Sequence, residues 1–564
     1  MTATINPLLK DRPVSWEVYQ PRYQELLDRE LTPETIEAFL LDWSELDREL
    51  DQVVHVRSLN ADLNTADEEV QNAYLEYLNG IQPHRDVAVS DLRKKLLTVA
   101  PAHLPADARL LAKRFEADDR AFHVDSVPLR TQLAELKQQY SQITGGMLID
   151  FRGEQITVPR VEQLLLSPDR QEREEAWKAW QKARLEIAPK LDEVFLKQLK
   201  LRQQIHRNSG HANYRDYMWD RYHRFDYTPQ DCLDFHETIE TEVVPFTLEL
   251  LEQHRQGLGI EELKPWDFYW RSQMDPQNRP ALQPFSTVEE LENKTEQVFF
   301  SLSPKLGEMF KTLKDRRAMD LGSRENKMSH AYCTTIDTEK LPFVLQNVVG
   351  TEGDVSTTLH EFGHAFHAYV SMRTQRLIWN AFSATEFVEV PSMGMELIAL
   401  DHLTPFYTPQ EIQRAKESAI RQSVHNLPWM CYMDAFQHWL YSEAPEDITI
   451  EMLDQKSREL LDRFQPQPNW SGFEAEKGKV WQYYHMFNHP FYYIEYALSG
   501  LGAVQLWKNH QENPEKTLQQ YLEALEPGDS LSVPELYEKC GLNFKFDRQT
   551  VHDLMGFLRE QLQG

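Results

Sequence analysis

Leu359-His360-Glu361-Phe362-Gly363-His364-Ala365-Phe366-His367 is the stretch from which the rest of the chain can be read. At 3.6 residues per helical turn, side chains four apart point the same way, so His360 and His364 can grip one ion from one face. Glu361 lies about 100° around the helix from His360, flanking such an ion rather than capping it. This is the H-E-x-x-H arrangement, in which two imidazoles bind zinc and the glutamate handles a proton of the attacking water. Ala365, Phe366, Ala368 and Tyr369 continue the segment as a helix without proline. The plain alternative is a helix that carries surface histidines.

A zinc site needs a third protein ligand. The metzincin extension requires Gly at 367 and His at 370, where this chain has His367 and Val370, so that class is excluded. What remains is a glutamate on a following helix. The stretch from Ser383 to Glu396 offers Glu386, Glu389 and Glu396, which share one helical face. Ser383 and Glu386 have capping-box spacing and predict a helix start there. Pro391 predicts a kink or a first turn. Several carboxylates on one face are costly to bury unless a cation neutralises them. A solvated acidic face is the alternative, but Phe387, Val388, Val390, Met393, Leu397 and Ile398 around them argue against full exposure.

With Phe387-Val-Glu389-Val-Pro-Ser392 following His364 by a short interval, the chain resembles the thimet oligopeptidase and oligoendopeptidase F family of zinc peptidases. The likeness extends through Pro342-Phe-Val-Leu-Gln-Asn-Val-Val-Gly-Thr351, Arg324-Glu-Asn-Lys327 with Ala331-Tyr-Cys333, and His485 to Tyr496. It covers most of residues 200 to 560. The family usually has a small residue before Ala-Tyr-Cys, where this chain has Ser329-His330. The resemblance implies His360, His364 and Glu389 as ligands of one Zn2+, with Glu361 as general base. It implies that His485 and a pair of tyrosines, Tyr493 and Tyr496, bind the reacting carbonyl, with Tyr492 as the alternative. It further implies a mainly α, two-lobed, zincin-like oligopeptidase with a deep channel that admits short unfolded peptides. A peptidyl-dipeptidase trimming C-termini and a non-enzymatic peptide-binding protein are the rival readings. A di-iron helical bundle wants a second Glu-x-x-His, which does not accompany Glu386 and Glu389.

Composition sets the bounds. A chain of 564 residues exceeds what one small core needs, so at least two lobes are expected. Charged residues are 26% and hydrophobic ones 41%, a globular composition, and only 21 glycines among many helix formers lean to α structure. The net charge of −29 argues against nucleic-acid binding, which needs a basic footprint, and could steer cationic peptides. Cys232, Cys333, Cys431 and Cys540 are scattered, which reads as reduced thiols. The first residues lack the apolar core of a secretory signal, and no apolar run reaches the length of a membrane span. The cytoplasm is the expected location.

Along the chain, residues 1 to about 140 read as successive amphipathic helices, with Thr32-Pro33 as a start and Ile36, Phe39, Leu40 and Trp43 at helical spacing. Met147-Leu-Ile-Asp-Phe151 and Gln155-Ile-Thr-Val158 predict a small hairpin. A long helix is expected from Ser167-Pro168 to Asn208-Ser-Gly210. The lobe boundary is placed near 190 to 210, giving an N-terminal helical lobe 1–200 and a catalytic lobe 201–564. Residues 211 to 320, including Trp266-Asp-Phe-Tyr-Trp270, read as aromatic-rich helices. Ala331 to Ile336 and Phe343 to Val349 predict a short antiparallel pair beside the zinc helix, whose edge could hold an extended peptide or simply pack. Asp354 could orient a ligand imidazole or cap the helix.

Overall fold

In a computed structural model the described residues are 6–268, 279, 281–328 and 330–563. Tyr269 and Trp270 of the aromatic stretch, and Ser329 before Ala-Tyr-Cys, lie outside them. The architecture is mainly helical, with a two-stranded and a three-stranded sheet.

The chain forms two compact units, each assembled from three stretches. One comprises Met1–Asp119, Leu282–Gln413 and Gly502–Phe544; the other comprises Arg120–Ala281, Arg414–Leu501 and Lys545–Gly564. A single boundary near 200 does not describe this division. The reason is local: residue 200 lies inside the unbroken helix Arg170–Asn208, which has no glycine to interrupt it. That helix ends where the sequence predicts. Its N-cap is Asp169, whose carboxylate accepts from the Gln171 N–H, rather than Ser167. Likewise the helix expected from Thr32 starts at Ile36, because Thr32 and Pro33 sit in the turn before it.

The first unit has an aromatic core. Trp43, fully buried on the helix Ile36–Leu63, packs edge-on to Trp379 at 4.6 Å between ring centroids and lies 5.4 Å from Phe115. Such rings bury large apolar areas and prefer tilted contacts. In the second unit, β1 (Ile149–Phe151) and β2 (Glu154–Ile156) form the expected antiparallel hairpin. Its two-residue turn places Arg152 and Gly153 at positive φ, matching strand twist. Ile149 and Ile156 then join a cluster with Trp177 and Trp266.

The three-stranded sheet positions the site. β3 (Met319–Gly322) runs parallel to β5 (Leu341–Val348), and β4 (Tyr332–Ile336) pairs with β5 antiparallel. The order β3-β5-β4 makes β5 central, which explains its near-continuous apolar run, and leaves β4 at an edge. The β4–β5 pair was legible in sequence; β3 was not, because Met-Asp-Leu-Gly is too short to show alternation. Gln346 of β5 accepts from Thr358 Oγ1 and donates to the Asp354 carbonyl, tying the sheet to the helix Glu352–Thr374.

Candidate metal centre and active site

The helix Glu352–Thr374 carries the H-E-x-x-H motif. It begins in a capping box: Thr351 Oγ1 accepts from the Asp354 N–H, and the Asp354 carboxylate accepts from the Thr351 N–H. The same carboxylate also accepts from the Val349 and Gly350 N–H groups. Asp354 Oδ2 is thus engaged in starting the helix, and of its two expected roles Asp354 takes the capping one.

The following helix, Thr385–Ile398, crosses the motif helix at close range. Gly363 makes this possible: a Cβ added there would lie 2.5 Å from Ser392 Cα and 2.6 Å from the Pro391 carbonyl oxygen. Pro391 is inside this helix rather than at its first turn, and its carbonyl accepts from the Tyr521 hydroxyl. The helix starts after Ala384 without a side-chain cap, so the Ser383/Glu386 capping box is not formed. Glu386 and Glu389 are both buried. The burial expected from their apolar neighbours is thus realised.

The close crossing brings three donor atoms together. His360 Nε2 and His364 Nε2 are 3.2 Å apart, and each is 3.3 Å from Glu389 Oε2. Zinc with ligands at about 2.0–2.1 Å in tetrahedral geometry needs ligand–ligand edges of about 3.3–3.4 Å. The triangle thus has the dimensions of one face of a zinc tetrahedron. Its chemistry fits as well: two nitrogens and an anionic oxygen are a common zinc donor set. The Ser392 hydroxyl donates to Glu389 Oε2 and helps fix it.

Glu396 completes the arrangement from behind. Its Oε1 lies 2.8 Å from His360 Nδ1, so an N–H there donates to the carboxylate and leaves the Nε2 lone pair facing the triangle. The Ser356 hydroxyl donates to the other Glu396 oxygen. Sequence reading placed Glu396 on the correct face but could not distinguish it from a third ligand.

The electrostatics ask for a cation. Burial disfavours the Glu389 carboxylate, but the two imidazoles outweigh it and hold its pKa well below the usual range. Burial also works against a charged His360, yet Glu389 and Glu396 raise its pKa well above the ordinary value. Glu361 stands beside this cluster, buried, with Oε2 making no hydrogen bond among the described residues. Burial, assisted by Glu389 and Glu396, pushes its carboxyl up, against the pull of the two histidines. The edge strand β4 packs against the motif helix, and its Cys333 thiol is raised by burial and by the Glu361 charge.

The other predicted residues gather in the second unit. Tyr493 opens the helix Tyr493–Glu512, and its ring is 5.5 Å from that of Tyr496. The His485 ring lies 4.6 Å from Tyr493 and 6.1 Å from Tyr496. Trp429 Nε1 donates to the Tyr493 hydroxyl at 3.0 Å. Tyr492 packs edge-on to Tyr496 at 5.2 Å. Residues 485 to 496 therefore form one cluster, and His360, Glu361, His364 and Glu389 another, each within its own unit.

A mainly helical fold with a small mixed sheet, and a two-histidine, one-glutamate triangle beside a buried glutamate, define the metallopeptidase class of site. Residues 163–555 match peptidase family M3. The chain belongs to that family. It is similar to the oligoendopeptidase F homolog of Lactococcus lactis, with 22% identity over 57% of this chain and 52% of the relative. It is also similar to the mitochondrial intermediate peptidase of Eremothecium gossypii, with 25% identity over 27% of this chain and 20% of the relative. The chain thus matches about half or less of the length of these curated relatives. Among solved structures, PZ peptidase A with an inhibitor has a TM-score of 0.90 at 25% identity, covering 98% of both chains.

Proposed function

We propose that the chain is a zinc-dependent oligoendopeptidase that hydrolyses internal bonds of short, unstructured peptides. The observation that carries this reading is the triangle of His360, His364 and Glu389 with Glu361 beside it. These three side chains would hold one zinc ion. Bound there, zinc supplies positive charge that polarises a carbonyl and acidifies water.

Glu361 takes a proton from the attacking water and returns it to the leaving amine. Burial raises its carboxyl above the ordinary glutamate range, which favours its taking up a proton from water. Glu396 orients His360, and Ser392 orients Glu389. Tyr493, Tyr496 and His485 are the proposed donors to the carbonyl oxygen as it gains charge, with Tyr492 as the alternative. The loss of one such donor typically costs about 3 to 4 kcal/mol of barrier. Burial raises the Tyr493 pKa, which keeps its hydroxyl protonated as a donor must be. The β4 edge is the proposed seat for peptide backbone. The relatives' names support the peptide substrate class.

We also propose a cytoplasmic location. Cys232, Cys333, Cys431 and Cys540 are free thiols, and no helix among the described residues is long and apolar enough to cross a membrane.

The test is to incubate the full chain with a library of short peptides, with and without a chelator, and to identify products by mass spectrometry. Chelator-sensitive internal cuts are expected. Release of C-terminal dipeptides alone would replace the endopeptidase by a peptidyl-dipeptidase. Retention of peptides without cleavage would make it a binding protein.

A further inference from the structure

The second unit holds another group of metal-ligating side chains, built by the same device from two helices. Cys232 and His236 are four apart on the helix Pro229–Glu242, and Asp434 and His438 are four apart on the helix Pro409–Ser442. Each pair therefore lines one face. The faces meet: Cys232, Asp434 and His438 each offer one ligand atom, and these lie within 4.8 Å of one another. His236 Nε2 is 2.9 Å from Asp434 Oδ2, and His438 Nε2 is 3.3 Å from the same oxygen.

All four side chains are buried, with Cys232 and Asp434 at 0% exposure and the two histidines at 1%. Aromatic rings pack around them, His438 edge-on to Trp219 and Phe491 and His236 to Phe464, and the buried Arg224–Glu495 ion pair lies nearby, with Arg224 over the Trp219 ring. Two features are unexplained by packing. His438 Nε2 faces Asp434 Oδ2, but His438 Nδ1 makes no hydrogen bond, and neither does Asp434 Oδ1, among the described residues. Orphaned polar atoms in such a place are costly, and a carboxylate more so.

We propose that Cys232, Asp434 and His438 form a second, structural site for a divalent transition metal, zinc by its donor set, with His236 orienting Asp434. A Cys232 thiolate and the Asp434 carboxylate neutralise a divalent ion, and one thiolate, one imidazole and one carboxylate are all zinc ligands. The Cys232 proton leaves to solvent as the metal binds. The His438 Nε2 to Asp434 Oδ2 separation of 3.3 Å already suits a tetrahedral edge of about 3.3–3.7 Å, and the whole triangle lies within 4.8 Å. His236 plays toward Asp434 the part that an outer hydrogen-bond partner plays in many metal sites. The ion would clamp the two helices together and stabilise the fold by its binding energy. This inference does not rest on the proposed peptidase activity.

Sulfur separates this site from the first, whose ligands are nitrogen and oxygen. The full chain is produced in cobalt-supplemented medium, and its metal content and absorption spectrum are measured. The expected result is two equivalents per chain and a sulfur-to-cobalt charge-transfer band in the near ultraviolet. The variant His360→Ala/His364→Ala should keep one equivalent and the band, and Cys333→Ser should keep both features. Cys232→Ser should lose the band and one equivalent. Cobalt in the full chain without a sulfur band would overturn the proposal, even if Cys232→Ser fails to fold. So would complete loss of metal in the His360/His364 variant. Absence of metal from the first site alone would overturn the peptidase reading and leave this one standing.

Discussion

The two histidine clusters use the same helical spacing and end in opposite environments. At the motif helix, His360 and His364 keep side-chain exposures of 24% and 20%. At Asp434, the neighbouring His236 and His438 keep 2% and 1%. An i,i+4 pair thus fixes which atoms converge, while burial decides what the convergence can do. A reacting site must admit a substrate, so its histidines stay partly open and one buried carboxyl, Glu361, is set beside them. A clamp needs no access, so apolar rings close over it.

The difference can be attacked from the side of the helix crossing. Gly363→Ala should have the largest effect, because its Cβ meets backbone atoms of Pro391 and Ser392, which cannot give way as side chains can. Overpacking of this kind costs about 1–3 kcal/mol. Displacing Glu389 should add a loss of metal at the exposed cluster only. Thermal unfolding and metal content measured together check this; an unchanged metal content would mean that the crossing does not set the triangle.

Glu396→Gln should act more mildly and again on one cluster. Removing the carboxylate behind His360 should weaken metal binding by about 10- to 100-fold, read by titration in metal buffers. Activity should return in excess zinc. Failure to recover would give Glu396 a role beyond holding the imidazole.

A third effect touches stability alone, at the buried His425. Burial, with help from Arg421, depresses His425 to about 3. The unfolded chain binds a proton at this residue below about pH 6.5, and the folded chain does not until about pH 3. Folding stability therefore falls with acid between those values, by up to about 1.4 kcal/mol per pH unit from this residue. His425→Gln should flatten the stability profile in that window, measured by denaturant unfolding from pH 6.5 to 4. An unchanged slope would show that His425 takes up its proton while folded.

Much of this site was legible in the chain because short-range spacing fixes short-range geometry. His360, Glu361 and His364 needed only the helical repeat, and Phe387-Val-Glu389 needed the family likeness. What could not be read depended on contacts between distant segments. Asp354 and Glu396 are both acidic residues near the motif, and only packing shows that one caps the helix while the other holds His360. The pairing of Cys232 with Asp434 joins residues about two hundred positions apart, and no local pattern announces it. The division of the chain failed for a related reason. A boundary read as a linear break cannot find units built from three interleaved stretches. The helical architecture itself was visible because glycine scarcity and amphipathic spacing are properties of the chain alone.

The central claim is that Glu361 moves the proton while His360, His364 and Glu389 hold the metal. The most direct measurement is zinc content and peptide turnover of Glu361→Gln beside the unaltered chain. The account predicts the same zinc per chain and a turnover lower by about 10²- to 10⁴-fold, the range expected for loss of a general base. Turnover near that of the unaltered chain, with zinc retained, would contradict it.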